Sequence, residues 1–103
     1  MSELPPSRLK EDEAIPIAEL ESRQRAVVRG RIVAMTYPSE AAPLQLRAHM
    51  KDATGTLIVQ WPGRREIPGL RVGTEIAVEG TVSWQQTELI MSNPTYQIIS
   101  EDE

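Results

Sequence analysis

From about residue 26 onward the chain alternates apolar and polar residues with a period of two, the spacing of strands with one buried face. In "AVVRGRIVAMT", Val28, Gly30 and Ile32 share one face and Arg29 and Arg31 the other. "LQLRAHMKD" alternates more cleanly: Leu44, Leu46, Ala48 and Met50 point inward, and Gln45, Arg47, His49 and Lys51 outward. "TLIVQW" sets Leu57, Val59 and Trp61 against Thr56, Ile58 and Gln60. "TEIAVEGTVSW" directs Ile76, Val78, Gly80 and Val82 inward, and "ELIMSNPTYQII" reads as a last strand interrupted at Asn93 and Pro94.

Turn chemistry separates these runs. "YPSEAAP" is a loop by composition, and "DATG" is a tight turn that makes a hairpin of the second and third strands. "PGRREIPGLRVG" holds two Pro-Gly pairs and leaves room for a turn or one short helix. Gly30, inside the first strand, marks a bulge or sharp bend. Five strands in about 75 residues would leave exposed edges unless the sheet closes on itself. The expected fold is therefore all-β, a five-stranded Greek-key barrel of the OB type with its connector after the third strand. An SH3-like barrel is the nearest competitor, usually with shorter strands and no insertion at that point.

The first 25 residues behave differently. Residues 1–13 combine Pro5, Pro6 and a Lys-Glu-Asp-Glu run, the composition of a flexible acidic segment. In residues 14–25, Ile17 and Leu20 lie three apart behind Pro16, which fits a single helical turn or an extended lead-in over one barrel end. The expected organisation is a flexible segment at 1–13, an OB domain at 14–100 and an acidic tail at 101–103.

Composition narrows the function. At 103 residues there is material for one core. The absence of cysteine excludes a disulfide scaffold, a thiolate metal site and a cysteine nucleophile, and suits the cytoplasm. No apolar run is long enough to span a membrane as a helix, and the start lacks the order of a signal peptide, so no membrane partner is expected. The net charge of −4 is unevenly spread. Acids dominate both ends, whereas residues 23–100 carry nine Arg and Lys against six Asp and Glu. The acidity sits at the ends, and the middle is mildly basic.

"VVRGRIVAM", "KDATGTLIVQWPGRREIPGLRVGTEIAVEGTVSW" and "LIMSNPTYQII" carry a resemblance over residues 15–99. They look like the OB-fold nucleic-acid-binding domain of the anticodon-binding type, and more closely like the small stand-alone OB proteins of actinobacteria. The wedge domain of the helicase RecG is similar. The shared pattern is Asp-x-Thr-Gly, an apolar strand ending in an aromatic, then Pro-Gly, Val-x-Gly and Met-x-Asn-Pro-x-Tyr. The resemblance implies contact with single-stranded or branched DNA or RNA along strands two and three and their flanking loops. On this chain that means Arg47, His49, Lys51, Thr56, Ile58 and Gln60, the Tyr37 loop, and the turn at 84–87 with Trp84 and Gln86. The chain departs from many relatives in its first loop, which contains Glu40 and no basic residue.

Arg47, His49 and Lys51 repeat at every second residue, so they share one face and line a track of about 13 Å, suited to a phosphate backbone. Any outward row is also polar for solubility, and both readings stand. Trp61 has the parity of the core, yet it ends its strand beside Arg64 and Arg65, where a barrel mouth could offer it to a base. Tyr37 and Trp84 are the other stacking candidates, and Tyr96 reads as a packing residue. His49 is the only histidine, so neither a histidine-based triad nor a histidine metal cluster can be assembled. No phosphate-cradling glycine loop, nucleophile elbow or metal-spaced ligand set occurs. The expectation is a non-enzymatic binding module without a cofactor, a candidate accessory of DNA repair or recombination. It would bind single-stranded or junction nucleic acid weakly and with salt sensitivity. The alternative is an adaptor for a protein partner. Oligomeric state is open.

Overall fold

The first strand, β1 (Arg25–Thr36), is long because it serves two partners in succession. In a computed structural model describing residues 9–40 and 44–100, its first half pairs antiparallel with β4 (Glu75–Gln85), from Arg25 opposite Thr81 to Arg31 opposite Glu75. Its second half pairs with β2 (Gln45–Lys51), from Arg31 opposite Lys51 to Thr36 opposite Arg47. Between Ile32 and Ala34 the register shifts by a bulge, which increases local twist and lets one strand turn from one partner to the next.

Gly30 stands just before that shift. A Cβ built there would lie 2.7 Å from the backbone oxygen of Lys51 and 3.2 Å from Cε of Met50. The methionine end can give by a few tenths of an ångström, but the carbonyl is backbone and retreats only by opening the β1–β2 seam.

The ring closes through the remaining strands. β2 forms a hairpin with β3 (Thr56–Pro62), with Leu46 opposite Trp61 and Lys51 opposite Thr56. β3 runs parallel to β5 (Glu88–Ser92), with Ile58 level with Ile90, and β5 returns antiparallel along the second half of β4. The order β1-β2-β3-β5-β4 and back to β1 is a closed five-strand barrel. β6 (Thr95–Ser100) pairs with the first half of β4. The expected last strand is thus two strands. Asn93 takes a left-handed φ of 52° and Pro94 has no N–H to donate, so pairing breaks there and resumes beyond.

The inward faces follow the predicted parity: Val28 and Ile32, Leu46, Ala48 and Met50, Leu57 and Val59, Ile76, Val78 and Val82 are all buried. Trp61, near the end of β3, is buried in the core and meets Tyr96 edge-on, with ring centroids 5.9 Å apart at 80°. Leu44 is a correction. It precedes β2, falls just outside the β2–β3 register and is 41% exposed. The connector after β3 forms turns with no helix, and it still delivers Ile67 and Leu70 to the core.

The lead-in packs earlier than its composition suggests. Leu9 is buried, its N–H donates to Oε1 of Gln97, and Gln97 donates in turn to Glu11. Two single turns of 3-10 helix, Glu11–Glu13 and Ile17–Glu19, follow. The second brings Ile17 and Leu20 into the core, as their spacing suggested. The rest of the acidic N-terminal segment and the tail at 101–103 lie outside the described residues.

Asp52 ties this lead-in to the β2–β3 turn. Its Oδ1 accepts from the N–H and hydroxyl of Thr54 and from the N–H of Gly55, and its Oδ2 accepts from the N–H of Ile17 at 2.9 Å. Partial burial opposes ionisation, but the Thr54 hydroxyl and the three backbone donors outweigh it and hold the carboxyl below its ordinary value. A carboxyl depressed in the folded state stabilises the fold fully above its unfolded value, about 3.9, and loses that contribution as pH falls through the folded value. Asp52→Ala should therefore cost about 1–3 kcal/mol at neutral pH. In urea titrations the gap from the parent should narrow below about pH 4. Gly30→Ala should cost about 1–3 kcal/mol by overpacking, at any pH, in the same titrations.

Candidate nucleic-acid interface

Side chains of one parity on β2, β3, β5 and the end of β1 form the outer face of the barrel. Pairing registers align them in rows. One row runs Thr36, Arg47, Gln60, Ser92; the next runs Ala34, His49, Ile58, Ile90, Ser83; a third holds Arg31, Lys51 and Thr56. None of these positions carries an acid, and acids stand only at the margin: Glu88 at the start of β5 shares the parity of Ile90, and Glu75 of β4 pairs with Arg31. The first row is knitted together: Gln60 Nε2 donates to Ser92 Oγ at 2.8 Å, and Gln45 Nε2 lies 3.5 Å from Gln60 Oε1.

Ion pairing divides the arginines by strand. Arg25 pairs with Glu79, Arg29 with Glu75 and Glu11, and Arg31 with Glu75 while also donating to the Gly73 carbonyl. The acids of β4 and the lead-in thus neutralise β1. Arg47, His49, Lys51, Arg64 and Arg65 have no ion pair among the described residues. Nε of Arg47 is buried without a hydrogen-bond partner, so the side chain is half-buried and its guanidinium partly desolvated. A charge in that state is well placed to meet a phosphate, because less side-chain entropy remains to be lost.

Two expected contacts do not survive. Ile58 has outward parity but is only 4% exposed, filling its row between His49 and Ile90. Trp61 is 1% exposed, held in the core by its parity and by Tyr96, so it has no free ring face for a base. Its Nε1 is buried without a partner, which marks how tightly the surrounding core closes on it.

The other aromatic candidates are open. Tyr37, directly after β1, is 55% exposed. Trp84 is 52% exposed although it shares the inward parity of Val82, because β4 has there run past the end of the core. Its backbone N–H reaches Oγ of Ser22, anchoring that strand end to the lead-in. Gln86 is exposed in the hairpin turn with φ of 60°. Arg64 and Arg65 are exposed in the turn after β3, where the Gly63 N–H donates to the Leu44 carbonyl and fastens β3's exit to β2's entry.

Ser92 was not anticipated. It reaches the face through the parallel β3–β5 pairing, a contact between strands about thirty residues apart that no local pattern announces. Among the described residues no three metal-ligating side chains come together, and no helix is long and apolar enough to cross a membrane.

Comparison with known proteins agrees with this architecture. No family model matches the chain, and no curated protein matches its sequence. Solved structures do match. A domain of replication protein A from Methanococcus maripaludis superposes with a TM-score of 0.70 at 21% identity, covering 85% of this chain and 97% of that one. The OB domain of a Methanosarcina mazei protein gives 0.66 at 15% identity, with 87% and 85% covered. A chain of a replication protein A heterotrimer bound to single-stranded DNA gives 0.59 at 14% identity, with 75% and 58% covered. The chain has the OB fold.

The two indoles stand in opposite environments, which makes them separable. Acrylamide should quench Trp84 readily and leave a protected fraction from Trp61, and Trp84→Phe should remove the accessible component. Trp61→Ala should cost about 3–5 kcal/mol in chemical denaturation.

Proposed function

We propose that this protein is a non-enzymatic OB domain that binds single-stranded or junction nucleic acid across the outer face of β2 and β3. The observation that carries the reading is the division of its cations. Those on β1 are spent on neighbouring carboxylates, whereas half-buried Arg47 and His49, exposed Lys51, and Arg64 and Arg65 in the turn after β3 have no ion pair among the described residues. An acid-free row of this kind attracts phosphates even when the whole chain is acidic, because local charge governs the field at short range.

Tyr37 and Trp84 supply two exposed rings, each worth about 1–3 kcal/mol per base where it stacks. Two rings and a handful of cations make a short, weak and salt-sensitive site. The likeness to replication protein A domains, one of them in a heterotrimer bound to single-stranded DNA, supports unpaired strands as ligand. The resemblance to the RecG wedge supports branched substrates as a variant of the same role.

The test is titration of Trp84 fluorescence with short DNA and RNA oligonucleotides across a salt series. Quenching should appear at low salt and weaken as salt rises. Changing Arg47 or Lys51 to alanine should each lower the salt slope by about one, whereas Arg29→Gln should leave it unchanged. Absence of any quenching or shift would sink the proposal. Partner capture from a lysate that survives alanine at Arg47, His49 and Lys51 together would favour the protein-adaptor reading.

A further inference from the structure

The first loop carries a residue that a phosphate track does not explain. Glu40 sits in the segment between β1 and β2, beside the end of β2 whose outward row, Gln45, Arg47, His49 and Lys51, carries no acid. A carboxylate there repels a passing phosphate, so it lowers affinity unless it meets a donor.

The structure shows what surrounds it. Pro38, Ser39, Glu40 and Leu44 from this segment and Arg65 from the turn after β3 line one cleft of about 210 Å³. The two segments are held together by the bond from Gly63 N–H to the Leu44 carbonyl at 2.9 Å. Leu44 is 41% exposed and gives the cleft an apolar wall. Glu40 and Arg65 line the same cleft, yet no ion pair joins them. The opening therefore presents an acceptor pair and a forked donor, each still unsatisfied by the other. Its position is equally specific. β2 read backwards runs Lys51, His49, Arg47, Gln45 and then Leu44, so the cation track leads into the cleft.

We propose that this cleft is a base-selective subsite that takes an unpaired guanine. The inference rests on the nucleic-acid reading above and deepens it. Guanine carries two adjacent donors, N1–H and the N2 amino group, which match the two oxygens of a carboxylate. On its other edge O6 and N7 form the acceptor pair that arginine reads bidentately. Cytosine and adenine each offer the carboxylate one amino group and lack the paired donors. Thymine and uracil offer a single ring N–H. Glu40 so placed lowers general phosphate affinity and converts the difference into discrimination, which is how a repulsive group produces specificity.

The experiment compares binding of the full chain to a thymidine decamer with decamers carrying one central guanine, inosine, adenine or cytosine. Guanine should tighten binding about tenfold over thymidine, within the range of one good bidentate contact. Inosine, which lacks the N2 amino group, should lose most of that gain. Glu40→Gln should erase the guanine preference and leave binding to the thymidine decamer equal or tighter. Equal binding of all decamers, or a preference that persists in Glu40→Gln, overturns the subsite and leaves the track intact. No binding of any decamer removes the track instead. In that case an NMR titration with free GMP against AMP decides the cleft separately. Shifts at Ser39, Glu40, Leu44 and Arg65 with GMP alone support it, and matching or absent shifts reject it.

Discussion

Everything in this molecule depends on one strand hydrogen-bonding to two partners that face different ways. β1 binds β4 with its first half and β2 with its second, and without that change of partner the sheet stays open. The bend needs a residue with no side chain at the crossing point, because the Lys51 carbonyl occupies the place a Cβ would take at Gly30. An open sheet of these sequences would expose two long apolar edges, so closure supplies stability and solubility together.

Closure also decides which charges are available. Wrapping β1 against β4 sets Arg25, Arg29 and Arg31 beside Glu75 and Glu79, and the lead-in adds Glu11. These exposed pairs contribute little stability individually. Their larger effect is electrostatic. They cancel most of the positive charge on one side of the barrel and leave that on β2 uncancelled. A chain with a formal charge of −4 thus keeps, among the described residues, a row of cations on β2 that no carboxylate pairs.

The same geometry sorts the aromatic residues. Trp61 and Trp84 both end strands on inward parity, and local sequence treats them alike. Trp61 lies where β2 and β6 still cover the core, against Tyr96, and it is buried. Trp84 lies where β4 has outrun that cover, and half of it meets solvent. A tryptophan of core parity beside two arginines left packing and stacking both open; the indole is a core residue and only its charged neighbours face outward.

The period-two alternation was enough to read β1 to β4 with their inward faces, Leu44 excepted, and the outward parity of Arg47, His49 and Lys51, while Asn93 and Pro94 marked the interruption that divides the expected last strand into β5 and β6. Alternation is a local property, set by the pleat, and each strand displays it without reference to its neighbours. Tertiary structure alone decided the rest: that Ile58 is covered between His49 and Ile90, that Ser92 joins Gln60, that Arg29 is neutralised while Arg47 is not, and that Glu40 and Arg65 line one cleft. Those outcomes depend on which strands lie side by side and how the loops converge. Pairing between strands distant in sequence follows from barrel closure, which no single stretch of residues encodes.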